Sequence, residues 1–239
     1  MAYILGYIFA DGSIRIRRSG SELSIKSKDF LSLISMNNAM RSTIRISKSK
    51  IKTGFIHQLT ISRKEIIQDL LKLGLTPRKS KIMDFPEVPK QFLYDFIRGY
   101  FDGDGHVRIL GNSLEIIFTS GSKKFLQKLN IILIHQGIKS KVYSKLQGSW
   151  FYLSILNESR EIFYKRLYNN PTIFLERKHI IFQRFFKFHH QLTIICKDCG
   201  RKVIKTGNNH KRCEFCKKEY VKELNRRSYR RRRQYGLLS

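Results

Sequence analysis

Acidic side chains are scarce in this chain. Its 239 residues hold 18 Asp and Glu against 47 Lys and Arg, a formal net charge of +29. That excess is far beyond what solubility needs, and it predicts a polyanionic partner. No hydrophobic run is long enough to span a bilayer, and the basic residues are not confined to one amphipathic helix, so nucleic acid is expected rather than a membrane surface. The apolar start from Ala2 to Ala10 is short, has no basic segment before it and runs straight into Asp11, which argues against a signal peptide. Cysteine is missing from everything before Cys196. This excludes a disulfide framework and points to a reducing intracellular compartment, cytoplasmic or organellar. The seven histidines show no ligand spacing, and only His106, just after Asp104-Gly105, lies near other candidate chemistry. A hydrophobic content of 41% excludes a disordered basic protein and suits one or two domains with an appendage.

What the chain does contain is one phrase written twice. Tyr3-Ile-Leu-Gly-Tyr-Ile-Phe-Ala-Asp-Gly12 and Asp95-Phe-Ile-Arg-Gly-Tyr-Phe-Asp-Gly-Asp-Gly105 align with Gly99 on Gly6, Gly103 on Ala10, Asp104 on Asp11 and Gly105 on Gly12. Internal duplication of this kind sets the architecture. Gly6 and Ala10, like Gly99 and Gly103, stand four apart on one helical face, where small residues let two backbones approach closely. Both helices then end in Asp-Gly, and the glycine is expected in the left-handed position past a helix C-terminus. A carboxylate at a helix C-terminus is disfavoured by the helix dipole, and crossing two such helices adds mutual repulsion. Something positive is expected between Asp11 and Asp104. A divalent metal held by both, with water and a phosphate oxygen completing its shell, is the economical choice. Two buried packing helices with exposed terminal Asp would show the same pattern without the chemistry.

These residues carry a family resemblance. Ile4-Leu-Gly-Tyr-Ile-Phe-Ala-Asp-Gly12 and Ile97-Arg-Gly-Tyr-Phe-Asp-Gly-Asp-Gly105 resemble the two motif copies of a single-chain LAGLIDADG homing endonuclease. The resemblance implies that the motif helices form the interface between two pseudo-symmetric halves, and that Asp11 and Asp104 bind catalytic metal, with magnesium the usual ion. At the sixth motif position Phe9 replaces the more usual Asp, which Asp102 keeps in the second copy; that position is not the family's metal ligand. The resemblance further implies basic residues flanking the acids, for which Lys79 and Lys178 are the candidates. It implies a monomer acting on a long, nearly palindromic duplex with a staggered cut across the minor groove, encoded by an intron, an intein or a free-standing mobile gene. No splicing domain flanks the motifs, which favours the intron or free-standing form. An RNA splicing maturase and a non-cleaving DNA-binding regulator are the alternatives on the same fold.

The rest of the chain follows the duplication. Ser13 to Arg17 with Leu23 to Lys26 reads as a hairpin, Asp29 opens an amphipathic helix, Ile44 to Ser47 with Phe55 to Ile61 reads as a second strand pair, and Lys64 to Leu73 as a closing helix ended by Gly74. Val107 to Leu110 with Leu114 to Phe118, Lys123 to Gln136, Lys141 to Leu146 with Trp150 to Leu156, and Ser159 to Tyr168 repeat that order. The expected fold is α+β: two αββαββα repeats, residues 1–88 and 89–190, joined through the motif helices, with antiparallel sheets forming a saddle. A proline-bearing connector from Thr76 to Pro89 links them. Each sheet should have one face packed on helices and one open face. The open faces should carry Arg15, Arg17, Ser24, Lys26, Gln58 and Thr60 in the first repeat, and Arg108, Glu115, Tyr143, Lys145, Tyr152 and Ser154 in the second. A two-stranded ribbon fits the major groove, where Arg or Lys reads guanine and Gln reads adenine. A solvated outer face would look the same along any one strand; the excess of basic residues over several strands favours DNA contact for Arg15, Arg17, Lys26, Gln58, Arg108 and Lys145.

Residues 191–239 form a separate appendage. Cys196-x2-Cys199 and Cys213-x2-Cys216, with Gly200 at one knuckle, make a four-cysteine pattern for a closed, structural zinc site. Metal ligation should supply most of the folding free energy of so small a module. Lys217 to Tyr235 reads as a basic helix or tail in which Arg226, Arg227, Arg230 and Arg231 are candidates for tracking DNA phosphate.

Overall fold

The computed structural model describes residues 1–144, 150–191, 193–204 and 210–234, with backbone alone for 188–191, 193, 204 and 231–234. Lys145, the strand end expected at Leu146, and the side chains of His189, His190 and Arg231 lie outside the described residues. The chain divides into two compact units, Met1–Phe182 and Gln183–Ser239.

The first unit is α+β and runs through one order of elements twice. Helix α1 (Ala2–Asp11), strands β1 (Gly12–Arg17) and β2 (Gly20–Ser27), helix α2 (Phe30–Ala39), strands β3 (Ser47–Ile51) and β4 (Gly54–Ile61) and helix α3 (Lys64–Lys72) make the first copy. Helix α4 (Leu93–Asp104), strands β5 (Gly105–Leu110) and β6 (Ser113–Ser120), helix α5 (Lys123–His135), strands β7 (Ser140–Ser144) and β8 (Phe151–Ile155) and helix α6 (Arg160–Leu167) make the second. Gly12, Gly20, Phe30 and Ser47 each open an element whose counterpart opens 93 residues later, at Gly105, Ser113, Lys123 and Ser140. Nothing is inserted or deleted over that span. The duplication extends to the helix caps: Asp29 accepts a hydrogen bond from Ser32 N at 3.2 Å to start α2, and Ser122 accepts one from Phe125 N at 3.3 Å to start α5.

Each copy builds one four-stranded antiparallel sheet, in the orders β1-β2-β4-β3 and β5-β6-β8-β7. Alternation decides the faces. Leu23 lies opposite Ile61 and Ile25 opposite Leu59, and all four are buried. Their neighbours Lys26, opposite Gln58, and Ser24, opposite Thr60, are on the other face. In the second sheet Ile116, Phe118, Leu153 and Ile155 fill the core, while Arg108 opposite Glu115 and Tyr152 opposite Tyr143 share the open side.

Several elements differ from the sequence-based expectation, two strands of the second unit described below among them. The strand expected at Ile44 to Ser47 forms instead at Ser47–Ile51. Ile44 and Ile46 alternate like strand residues, but the edge strand is Ser-Lys-Ser-Lys-Ile, exposed along most of its length. Lysine on an exposed edge discourages pairing with other chains, and no apolar alternation marks it. The second difference is helix α7 (Glu176–Gln191), which was not expected as an element at all. In the second unit, strands β9 (Thr193–Ile195) and β10 (Lys202–Ile204) pair antiparallel, and helix α8 runs from Glu214 to Gln234. Among the described residues no helix is long and apolar enough to cross a membrane.

Candidate active site

The site begins with how closely α1 and α4 cross. A methyl group placed on Gly6 would lie 2.0 Å from the carbonyl oxygen of Phe96, and one on Gly99 would lie 1.9 Å from that of Tyr3. Tyr3 and Phe96 are themselves counterparts, so the contact is made twice, once in each direction. One turn further on, Gly103 faces Ala10, and a methyl on Gly103 would come within 2.4 Å of the Ala10 Cβ. There is room for one methyl at that level, and Ala10 has it.

The glycines after the acids do not take the left-handed conformation expected from sequence. Gly12 has φ −73° and Gly105 φ −88°, both extended. The reason is that each helix passes directly into a strand, with no C-terminal reversal to make. Close approach is what requires glycine: a Cβ on Gly12 would be 2.5 Å from the Ile8 carbonyl oxygen, and one on Gly105 2.2 Å from the Phe101 ring.

Asp11 and Asp104 end the two helices on the same side of the crossing. Burial pushes the Asp104 carboxyl up to about 6, and the neighbouring charge of Asp11 adds to the rise while Lys79 and Lys178 oppose it. Asp11 keeps an edge open to solvent, yet loss of hydration raises it as well, against the pull of Lys79 and then Lys178. The positive charge anticipated between the acids is therefore supplied in part by two lysines, 8% and 3% exposed. Lys79 donates to the Ala10 carbonyl at the end of α1, at 2.7 Å. Lys178 donates to the Phe101, Asp102 and Gly105 carbonyls at the end of α4. Each cation thus answers the negative end of a helix dipole. Desolvation lowers the pKa of Lys79 and brings Lys178 down to about 8. Two lysines do not return Asp104 to its ordinary value. Hard carboxylate oxygens that remain short of positive charge are a donor set suited to a divalent cation such as magnesium.

Local structure explains how the lysines arrive. Lys79 sits in a single 3-10 turn, Lys79–Lys81, of the connector. The Met83 amide bonds the Lys79 carbonyl at 2.9 Å, and the connector lies so close to Gly121 that a Cβ there would be 2.6 Å from the Ser80 carbonyl oxygen. Lys178 rides on the first turn of α7, where the Leu175 amide donates to Asp102 Oδ2 at 2.8 Å.

Asp102, the second-copy residue of the sixth motif position, is 1% exposed, and the same Oδ2 accepts from Tyr3 Oη at 2.8 Å. Its counterpart Phe9 packs edge-on against Phe96 at 5.5 Å. One position thus makes the inter-helix contact with a carboxylate and a phenol in one copy, and with two phenyl rings in the other.

On the open faces, Arg15 pairs with Glu22 at 3.7 Å, Arg17 with Glu22 at 4.0 Å, and Arg108 with Glu115 at 2.6 Å. Lys26 is exposed beside Gln58, whose amide donates to Thr60 Oγ1 at 2.9 Å. Tyr143 and Tyr152 stack at 5.0 Å. Lys141 shares this face, 5.5 Å from the Tyr143 ring centre; the alternation two residues before Tyr143 marks it, though it was not among the expected contacts. Ser24, expected as an open-face contact, is buried.

In the second unit Cys196, Cys199, Cys213 and Cys216 place their sulfurs within 4.8 Å of one another. Tetrahedral zinc at about 2.3 Å from each sulfur asks for separations of roughly 3.8 Å, so the cluster fits that ion. Gly200, at φ +70°, makes the knuckle, and its amide bonds the Cys196 carbonyl at 2.9 Å. The Cys213 amide, 3.2 Å from the Cys196 sulfur, brings that thiol down to about 6, while hydrogen bonding with Cys213 pushes Cys216 up to about 12. Arg226, Arg227 and Arg230 stand exposed on α8, Arg227 paired with Glu223 at 3.1 Å.

Residues 91–168 match the LAGLIDADG-like domain. The chain is 32% identical over 150 residues to the probable translation initiation factor IF-2 of Methanocaldococcus jannaschii, a match covering 59% of this chain and 12% of that protein. It is 27% identical over 158 residues to the DNA-directed RNA polymerase subunit Rpo1C of the same organism, covering 58% of this chain and 17% of that one. The chain thus spans about an eighth of the first relative and about a sixth of the second. Among solved structures, the homing endonuclease I-DmoI in complex with DNA and Ca is similar with a TM-score of 0.56 at 15% identity, over 77% of this chain and 96% of that one. I-WcaI bound to its DNA recognition sequence is similar with a TM-score of 0.53 at 13% identity, over 74% and 84%. The first unit has the fold of these single-chain homing endonucleases.

Proposed function

We propose that the chain is a site-specific double-strand DNA endonuclease, working at Asp11 and Asp104 with a divalent metal. The observation that carries this reading is the convergence of two helix-terminal acids and two buried lysines at one crossing. A pure DNA binder would gain by losing either acid, since each raises the cost of ionising the other.

Asp11 and Asp104 would hold the cation, which when bound lowers the pKa of an attacking water and offsets charge on the leaving oxygen. Hydrolysis forms one bond from water oxygen to phosphorus and breaks one from phosphorus to the leaving oxygen. Of water's two protons, one goes to that oxygen and the other to the new phosphomonoester or to solvent. The chain's own contribution is to place the acids, through Gly6, Gly99 and Gly103, and to keep cationic donors beside them. Arg15, Arg17, Lys26, Gln58, Arg108 and Lys141 on the open faces are the groups offered to base edges and phosphates, and the paired glutamates orient the arginines before contact. The zinc module would be structural, with Arg226, Arg227 and Arg230 on phosphate. Support comes from the fold shared with I-DmoI, solved with DNA and with Ca or Mn. Partial matches inside a translation factor and a polymerase subunit, proteins of unrelated work, suit a mobile segment better than a part of either machine.

The test is selection from a randomised duplex library in magnesium. One recovered sequence family, cut on both strands with a fixed stagger and uncut in chelator, supports the reading. No metal-dependent cutting of any duplex, with RNA or DNA binding retained, would replace it with a maturase or a regulator.

A further inference from the structure

The two open faces agree in one row of residues and part in the others. Each sheet sets an arginine opposite a glutamate, Arg15 across from Glu22 and Arg108 across from Glu115, at equivalent places in the repeat. Arg108 gives its Nε–H to Glu115 and keeps its two terminal amino groups, the fork that meets guanine O6 and N7. Along the same strands toward the acids, the first sheet carries exposed Lys26 opposite Gln58, and the second carries Thr119 opposite Tyr152. Gln58 spends one N–H on Thr60 and keeps the other, with its carbonyl oxygen, for an adenine edge. Thr119 spends its only donor on the Asp104 carbonyl at 2.7 Å, and Tyr152 stacks on Tyr143. Between these rows, Ser24 of the first sheet is matched by Ile117 of the second; beyond the arginines, Arg17 is matched by Leu110, 47% exposed. Leucine, isoleucine and two tyrosine rings therefore gather on one open face where the other has arginine, serine, glutamine and lysine. The 5-methyl of thymine is the alkyl group that base pairs present in the major groove, and apolar side chains recognise it.

We infer that the duplex target is symmetric only at the base pairs met by Arg15 and Arg108, with guanine in both half-sites. Nearer the acids, one half-site presents guanine or adenine to Lys26 and Gln58, whereas the other presents thymine methyls to Ile117, Thr119 and Tyr152. Leu110 carries the thymine preference outward, where Arg17 offers a cation instead. Side chains two residues apart on a strand are about 6.6 Å apart, close to the rise of two base pairs, so each row addresses its own step of the half-site. The inference rests on the reading above for its substrate, a DNA duplex, and adds which bases each sheet prefers.

The experiment selects, by binding to the full-length protein, a sequence family from a randomised duplex library. Each thymine of the recovered duplex is then replaced by deoxyuridine, which lacks the methyl, one position at a time. In one half-site the replacement should weaken binding about fourfold for each contacted methyl, and in the other by less than about twofold. Ile117→Ser combined with Tyr152→Gln should erase that penalty, with Ile117→Ser alone serving if the pair does not fold. Lys26→Thr should leave the penalty in place and relax the inner base preference of the opposite half-site by about tenfold. Inner positions that are the same in both half-sites, a deoxyuridine penalty shared by both, a penalty that survives the Ile117 and Tyr152 substitutions, or no base preference at all would each overturn the proposal. Cleavage is scored separately on the same duplex. A protein that binds such a target and cuts it in no divalent metal would keep this inference and lose the endonuclease reading.

Discussion

Gly6 and Gly99 are mirror images across the crossing of α1 and α4: the hydrogen on each Cα lies where a methyl would be within 2.0 Å of a backbone carbonyl oxygen of the other helix. Neither neighbour can move without moving its helix. Gly6→Ala and Gly99→Ala should each destabilise the fold by about 3 kcal/mol or more, the upper end of overpacking costs, because the obstacle is backbone rather than a flexible side chain. Denaturant unfolding measures this, and a shift of less than about 1 kcal/mol for both would show that the helices separate at little cost.

Asp104 predicts an inverted pH response. Its folded pKa, about 6, lies above its ordinary 3.8. Its contribution to stability is therefore fully present below about pH 4 and is lost as pH rises through about 6. In metal-free protein, Asp104→Asn should be more stable than the parent by roughly 1–2 kcal/mol at pH 7.5, after discounting for solvent screening, and should lose that advantage near pH 4. Urea titrations at the two pH values test this; an advantage that is absent at pH 7.5, or larger at pH 4, contradicts it.

Removing metal from the cysteine site should unfold the second unit selectively. With four thiols packed together and one of them pushed up to about 12, the cluster without a cation carries competing protons and mutual repulsion. Cys196→Ser should abolish tight zinc binding and remove amide protection from residues 193–204, with the protection of β2 and β6 unchanged. Unaltered exchange across 193–204 would mean that the metal does not hold that unit together.

The arginines of α8 should act on phosphate without reading bases. Replacing Arg226, Arg227 and Arg230 by Gln should flatten the slope of log affinity against log salt by about 0.9 for each phosphate no longer neutralised, with the cleavage positions unchanged. An unchanged slope removes these residues from the interface, and a changed recognition sequence makes them base readers.

Much of the fold was legible in the sequence because the repeat keeps a constant offset of 93 residues from Gly12 to Ser47 and its core strands alternate cleanly. Leu23, Ile25, Leu59 and Ile61 determine which way Lys26 and Gln58 face. The edge strand Ser47–Ile51 was not legible, since neither of its faces is deeply buried and no alternation results. Asp11 and Asp104 stood out by spacing. The conformation of the glycines after them did not, because Asp-Gly at a helix end suits a left-handed cap and an extended entry into a strand equally well, and only the strand that follows at once decides. Lys79 and Lys178 could be named because the resemblance implies basic residues flanking the acids, and these stand at comparable places after each repeat. That Lys178 donates to three carbonyls and Lys79 to one depends on distances to α1 and α4, which no local pattern encodes. The sixth-position difference between Phe9 and Asp102 was visible, but its meaning depends on which side chain each one meets across the helix crossing.

The most direct test of the central claim is cleavage by Asp11→Asn and Asp104→Asn in magnesium, on a duplex recovered by selection, with binding measured alongside. Each substitution removes a carboxylate that would hold metal and relieves repulsion beside phosphate, so both variants should bind the duplex as tightly as the parent or more tightly. Neither should produce the double-strand cut. Magnesium-dependent cutting of both strands by both variants, at rates near the parent's, would contradict the assignment of these two acids as the site of catalysis.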